Sequence, residues 1–332
     1  MLLVGVGTVG VAASRQLLDT PGIDRVLVTD RRAELARSVA QAMPVEAIEW
    51  SPGHPVPAGV DVVVAAVPED EDLAVARAAL DARVPFATSA DDHDAITVLR
   101  ALDADARSSG LTLAGGCGLA PGLSGVLALH ATGELDLVDE VHVARSGAAG
   151  PASERVLRRN RSERACEWDN GEWAEVRGAG PELVWFPDPV GSADCQLAEG
   201  GVDFLVHDLP GLDRASFRLA EPRSRSLAER IARRVTRRRE AEPWGAVRVE
   251  VHGCRAGRRE VVVYGAVGRT ASMAGTVLAL SAAHLAGALE LGPRPAPAGV
   301  HGLAALVDPV RFLAELAARG VRAAAFEGVP VT

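Results

Sequence analysis

The chain opens on an apolar strand that runs straight into three spaced glycines. Met1-Leu2-Leu3-Val4-Gly5-Val6-Gly7-Thr8-Val9-Gly10 contains G-x-G-x-x-G, and a second apolar run, Val26-Leu27-Val28-Thr29, ends on Asp30. An acidic residue about 20 positions beyond such glycines is what a dinucleotide site requires. Each glycine has its own physical reason. Gly5 lets the backbone turn off the strand, Gly7 removes the side chain that would block a pyrophosphate, and Gly10 lets the following helix lie close on the sheet. The N–H groups that begin that helix, from Thr8 and Val9 onward, are then aimed at the phosphates. A carboxylate at Asp30 accepts both ribose hydroxyls of the adenosine half and repels a 2′-phosphate. The expected cofactor is therefore NAD, with NADP left open by Arg31 and Arg32, either of which could swing in to hold that phosphate.

At 332 residues, 48% apolar and 24% charged, the chain has the makings of two folded domains with a well-buried core. It contains no lysine, so all 35 basic residues are arginine. That excludes a Schiff-base lysine, a P-loop lysine and a lysine general base. A net charge of −9 argues against general nucleic-acid binding. Cys117, Cys166, Cys195 and Cys254 are far apart, with no C-x-x-C pair and no metal-ligand spacing, so reduced thiols and no metal are expected. Thr270 to Leu289 is uncharged, but its Ala, Gly, Ser and Thr content and His284 suit a helix buried between domains better than a membrane span. A first strand at Met1 leaves no room for a signal peptide, and a cytoplasmic protein is the expectation.

Along the chain, a helix over 32–42 and a strand over 45–49 follow Asp30. The stretch Ser51 to Gly59, rich in Pro and Gly, reduces the next crossover to a loop. Asp61 to Val67 is a continuous apolar run, the pattern of a central parallel strand buried on both faces. Strands over 85–88 and 111–114, separated by a helix after Asp91, complete a doubly wound parallel sheet of Rossmann type. Beyond Gly122 a helix over 123–132 leads to alternating strands over 140–145, 202–206, 215–219, 247–251 and 261–266, with an arginine-rich helix over 226–240. The fold class expected is α/β, the parallel sheet joined to a second α/β domain with a mixed, largely antiparallel sheet.

The later pieces resemble the saccharopine dehydrogenase and lysine 6-dehydrogenase family. They are the Asp61 to Pro68 strand, the Gly118-Leu119-Ala120-Pro121-Gly122-Leu123-Ser124 turn into a helix, the approach Gly265 to Ala271 to a long helix, and the closing Asp308-Pro309-Val310-Arg311-Phe312-Leu313. The likeness covers both ends and is weak from Ser153 to Arg259. It implies a dinucleotide domain over 1–120, a substrate and dimerisation domain over 121–268, and C-terminal helices over 269–332 that pack back on the first. It also implies a homodimer and redox chemistry at the C–N bond of an amino or imino acid.

Hydride transfer needs the nicotinamide beside the carboxyl ends of the central strands. Three segments reach that edge besides the glycine turn: Ala66-Val67-Pro68, Ser89 to His93, and Cys117 to Pro121. There His93 is the candidate acid/base, since an imidazole suits proton transfer near neutral pH. Asp92 is a second catalytic candidate, and Asp91 and Asp92 could equally cap the following helix. A substrate carboxylate wants a planar bidentate donor, for which Arg145 and then Arg269 are the candidates, each also open to a structural ion pair. Two other readings stay open: reduction of C=C or C=O bonds, and a dinucleotide-binding regulator without turnover.

Overall fold

The computed structural model describes residues 1–160, 165–176, 179–221 and 242–326. β1 (Leu2–Val4) leads into α1 (Thr8–Leu18), β2 (Leu27–Thr29) into α2 (Ala33–Ala42), and β3 (Glu46–Ala47) into the Ser51 to Gly59 loop, which has no helix. β4 (Val63–Ala65) is followed by α3 (Glu69–Asp81), and β5 (Phe86–Thr88) by α4 (His93–Arg100), α5 (Asp103–Ser109) and β6 (Thr112–Gly115). The crossover after Asp91, expected as one helix, is two, because Asp103 and Asp105 supply a second acidic helix start. Every residue of β1, β2, β4, β5 and β6 is buried, as parallel strands covered on both faces must be.

α6 (Leu123–Thr132) crosses to the second sheet. There the chain forms β7 (Leu137–Ser146), α7 (Pro151–Asn160), β8 (Ala165–Asp169), β9 (Glu172–Val176), β10 (Glu182–Trp185), β11 (Ser192–Ala198), α8 (Leu205–Asp208), β12 (Arg214–Ala220), β13 (Trp244–Arg255) and β14 (Arg258–Arg269). The helix expected over 226–240 lies outside the described residues. No strand forms over 202–206. Gly200 and Gly201 turn at positive φ, a Cβ on Gly201 would run into the Phe217 ring, and the apolar residues beyond them fold as α8 with Leu205 and Val206 buried.

The chain then returns through α9 (Thr270–Leu285), β15 (Gly299–Gly302), α10 (Leu303–Leu306), α11 (Pro309–Ala318) and β16 (Arg322–Phe326). The first sheet has seven strands in the order β15-β6-β5-β4-β1-β2-β3, and every pair is parallel. The second runs β10-β11-β12-β7-β13-β14-β16, with β8 also joined to β12 and β9 to β8. Its β7–β12 pair is parallel and its other pairs are antiparallel. The α/β class, with one parallel Rossmann-type sheet and one mixed sheet, is the class expected.

α9 is the uncharged stretch that imitates a membrane span, and it is buried along its length apart from Ser272 and Leu285. Among the described residues no helix is long and apolar enough to cross a membrane. Small residues let α9 press on α1. A Cβ on Gly275 would stand 2.6 Å from Ala12 Cβ and 2.7 Å from the Ala13 nitrogen. One apolar cluster runs from Leu3 and Val64 of the first sheet through Met273, Val277 and Leu280 of α9 to Val141, Val143 and Val247 of the second. Each such side chain contributes ~1.5–3 kcal/mol on burial, so the cluster holds the two sheets to one helix. All four cysteines are free thiols.

Candidate active site

Because β1, β4, β5 and β6 are parallel, the segments that follow them emerge at one edge, and the site is built there. Gly5 turns off β1 at φ +89°, where a Cβ would run into the Ala66 carbonyl. A Cβ on Gly10 would run into the Gly5 carbonyl oxygen, so this glycine sets how closely α1 lies against the turn. Gly7 differs from both. Nothing lies within 4 Å of a Cβ built on it, and α1 starts after it with no side-chain cap. The first N–H groups of a helix have no intrahelical acceptor, so Thr8, Val9 and Gly10 offer donors beside an open cradle. A pyrophosphate fits those features in size and in charge.

Asp30 ends β2 with both carboxylate oxygens oriented. Oδ2 accepts from Val6 N at 3.0 Å and Oδ1 from Arg32 N at 2.9 Å. The carboxylate is thereby fixed against the glycine turn, where a ribose would reach it. Arg31 donates to Glu71 at 2.8 Å in the first turn of α3, so its guanidinium is already engaged. Arg32 is as exposed as Arg31, with Nε 3.7 Å from Asp30. Ala66, Val67 and Pro68, half-buried, carry the chain from β4 into α3 against Gly5, with Ala66 N donating to Val4 O at 2.8 Å.

The next segment, Ser89 to His93, is held from beneath. Thr88 donates to Asp72 Oδ1 at 2.6 Å and accepts from Ala90 N at 3.1 Å, and burial pushes the Asp72 carboxyl up to about 7. Ser89 N donates to Ala65 O, and Ser89 O faces Gly118 across the edge. Cys117 N donates to Thr88 O at 2.6 Å while its side chain is wholly buried, which pushes the thiol up to about 12. An inert thiol of this kind leaves the backbone of its turn as what the segment presents to the cleft. Asp92 caps α4, its Oδ1 accepting from Asp94 N and Ala95 N.

Two pairs then join the parallel sheet to the second half of the molecule. Asp91 meets Arg145, at the end of β7, with Oδ2 2.5 Å from Nη1. Arg145 is 2% exposed and also reaches Ser153. Expected to hold a substrate carboxylate, it holds that of Asp91. Beyond it the Ser146 to Gly150 loop comes down on the glycine turn, where a Cβ on Gly150 would stand 2.5 Å from Thr8 Oγ1. Arg269 does not join this group. It donates to the Glu242 carbonyl and lies over the Trp244 indole, 4.6 Å from the ring centre.

The second pair is His93 with Asp203, two residues before α8, at 2.5 Å from Nδ1 to Oδ1. Asp203 is buried, while His93 is partly open and stands edge-on to Trp173 with ring centres 6.0 Å apart. The hydrogen bond to Asp203 raises His93 to about 9 against the opposing effect of burial, and burial raises Asp203 in turn. Both directions describe a pair that keeps its shared proton at neutral pH. Because the folded pKa of His93 exceeds its unfolded value, this contribution to stability is complete below about 6.5 and is lost as pH rises through about 9. In Asp203→Asn the His93 ring should titrate nearer to 6.5, with the wild type near 9; a wild-type ring titrating between 6 and 7 by proton NMR would remove the pairing.

Asp203 and Trp173 are the members of this site that residue patterns alone do not reveal, and Asp91, which could have capped the helix, instead pairs with Arg145. Asp203 lies inside the stretch read as a strand, and the Gly200-Gly201 doublet before it is the signal that a turn intervenes. Among the described residues no group of three or more His, Cys, Asp or Glu side chains could hold a metal ion.

No family model and no curated protein sequence matches the chain. Solved structures do. Apo saccharopine dehydrogenase (L-Glu forming) from Saccharomyces cerevisiae superposes with a TM-score of 0.67 at 15% identity, over 98% of this chain and 99% of that one. The chain shares its fold with saccharopine dehydrogenase. GenD2 from gentamicin A biosynthesis, in complex with NAD, gives 0.50 at 13% identity over 98% and 96% of the two chains. The DAP dehydrogenase of C. glutamicum, in complex with DAP, gives 0.51 at 14% over 96% and 98%. At these identities the likeness is one of fold, and the chemistry has to come from the site itself.

Proposed function

We propose that the chain is a NAD-dependent oxidoreductase acting on the C–N bond of an amino or imino acid. The observation that carries this reading is the His93–Asp203 pair, with His93 starting α4 just after β5, at the edge where the glycine turn ends β1. The residues that would hold the dinucleotide are Gly5, Gly7, Thr8, Val9, Gly10 and Asp30, flanked by Ala66, Val67, Pro68 and Ser89. When bound, it supplies or accepts the hydride. His93 commits Nδ1 to Asp203, which leaves Nε2 to give a proton to the substrate nitrogen or to take one from it. Asp203 holds the ring in that tautomer, and Asp91 with Arg145 keeps the loop docked on the second sheet. The saccharopine and DAP dehydrogenases that share the fold are named for amino-acid substrates, which supports C–N chemistry here. The resemblance of the sequence motifs and the prevalence of twofold assemblies favour a dimer through the second sheet, and the free thiols suit a cytoplasmic setting.

An imidazole held near 9 is an acid at neutral pH. Imine reduction should therefore proceed at pH 7, and amine oxidation should climb as pH rises toward 9. The test is the absorbance of NADH during anaerobic mixing with imines formed from oxo acids and ammonia or amines. Oxidation of NADH by the oxo acid without any amine would replace the reading with C=O reduction, and tight NADH binding without turnover of any substrate would leave a regulator.

Cofactor choice is a separate expectation. Asp30 is fixed where a 2′-phosphate would meet it, and Arg31, which could answer that charge, is engaged by Glu71. NAD should bind at least tenfold more tightly than NADP, about 1.4 kcal/mol, by calorimetric titration. A tenfold preference for NADP would mean that Arg32 and Arg31 reorganise around the phosphate.

A further inference from the structure

A cavity of about 730 Å³ shares no lining residue with the glycine turn or the His93–Asp203 pair. It lies among the far part of α6, α8, the loop after α9, and α10 with the start of α11. Its size falls within the range of small-molecule sites. Leu129, Leu205, Leu209 and Val307 give it apolar walls, and Asp208, Glu290 and Asp308 with Arg294 and Arg311 add charges of both signs.

Asp208 is the unusual member. Its Oδ2 is buried with no hydrogen-bond partner among the described residues, and it has no ion pair there either. Burial drives its carboxyl up to about 6, with Arg100 only partly offsetting that. A carboxylate in this condition gains from any donor that reaches it, and an ammonium is the strongest one available to a small molecule. The arginines of the same cavity are differently placed. Arg311 is exposed, with its nearest acid, Glu290, at 3.9 Å, and Arg294 donates one N–H to the Gly287 carbonyl. Guanidinium groups with N–H donors to spare suit a carboxylate. A buried, unpartnered carboxylate oxygen, guanidinium groups and apolar walls in one cavity together describe a zwitterion with an apolar side chain.

We propose that this cavity is a second ligand site, which binds an α-amino acid with a large apolar side chain, its ammonium on Asp208, its carboxylate on Arg294 or Arg311, and its side chain against Leu129, Leu205, Leu209 and Val307. The site stands apart from the redox reading and does not depend on it.

Three probes separate the parts: L-phenylalanine, 2-phenylethylamine, which lacks the carboxylate, and 3-phenylpropanoate, which lacks the ammonium. Calorimetric titration of the full chain at pH 7.5 should give one L-phenylalanine per chain, with both truncated probes binding at least tenfold more weakly. Asp208→Asn should weaken L-phenylalanine at least tenfold and leave 3-phenylpropanoate unchanged. Ala305→Trp, at an exposed lining position, should block all three without lowering the melting temperature, so an effect of Asp208→Asn on folding cannot be mistaken for the result. No heat from L-phenylalanine at 10-fold millimolar excess overturns the proposal. So does equal affinity in wild type and both variants, since the amino acid would then be bound elsewhere.

Discussion

Gly10→Val should leave little soluble, folded protein. The first carbon of the new side chain would run into the Gly5 carbonyl, which is backbone and cannot swing aside as a side chain would. The only relief is to move α1 off the sheet, and α1 is also the helix on which α9 rests. Overpacking of this kind against backbone costs about 3 kcal/mol or more. A loss of that size lowers the melting temperature by about 6 °C or more in a chain of this length. Circular dichroism melts of mutant and wild type make the comparison, and a mutant melting within 2 °C of the wild type would show that the turn is looser than the geometry requires.

Gly7→Val should behave in the opposite way, folding normally and failing to bind NADH. Gly7 has ordinary extended geometry, φ −67°, which valine tolerates, and an added Cβ meets nothing within 4 Å. The space it enters is the approach to the α1 N-terminus, where the pyrophosphate has to lie against backbone. Affinity should fall about a hundredfold, ~2.7 kcal/mol, in a protein whose melting temperature is unchanged without ligand. Fluorescence titration with NADH reads this directly. A folded mutant that keeps its affinity would move the dinucleotide elsewhere. The two glycines are three residues apart, yet one answers to the fold and the other to the ligand.

The parallel sheet could be read from residue patterns because its strands are buried on both faces and their apolar runs are bounded by Gly, Pro and Asp. The helix expected over 123–132 is α6 at the same residues. The second sheet was harder for physical reasons. β8, β9 and β10 mix charged and aromatic residues at partly or fully exposed positions, so their alternation is faint. β15, Gly-Val-His-Gly, and β16, Arg-Ala-Ala-Ala-Phe, hold almost no β-branched residues, and tertiary pairing alone makes them strands. In the candidate site, His93 and the glycine turn could be found from local spacing. Asp203 could not, since it meets His93 across 110 residues of chain from a segment whose apolar pattern suggests a strand. Arg145 was visible as an arginine at a strand end, but its partner Asp91 is a matter of how the two sheets dock.

The return of the chain through β15 and β16 bears on how the protein is made. β15 lies outside β6 in the parallel sheet, and β16 lies outside β14 in the mixed one. Until a ribosome has synthesised Gly302 the β6 edge is unpaired, and until it has reached Phe326 so is the β14 edge. Unpaired edges of this kind recruit strands from other chains. Nascent chains stalled before Gly299 should therefore be the aggregation-prone species, and deleting Arg322 to Phe326 should trouble expression more than an equal deletion in a surface loop.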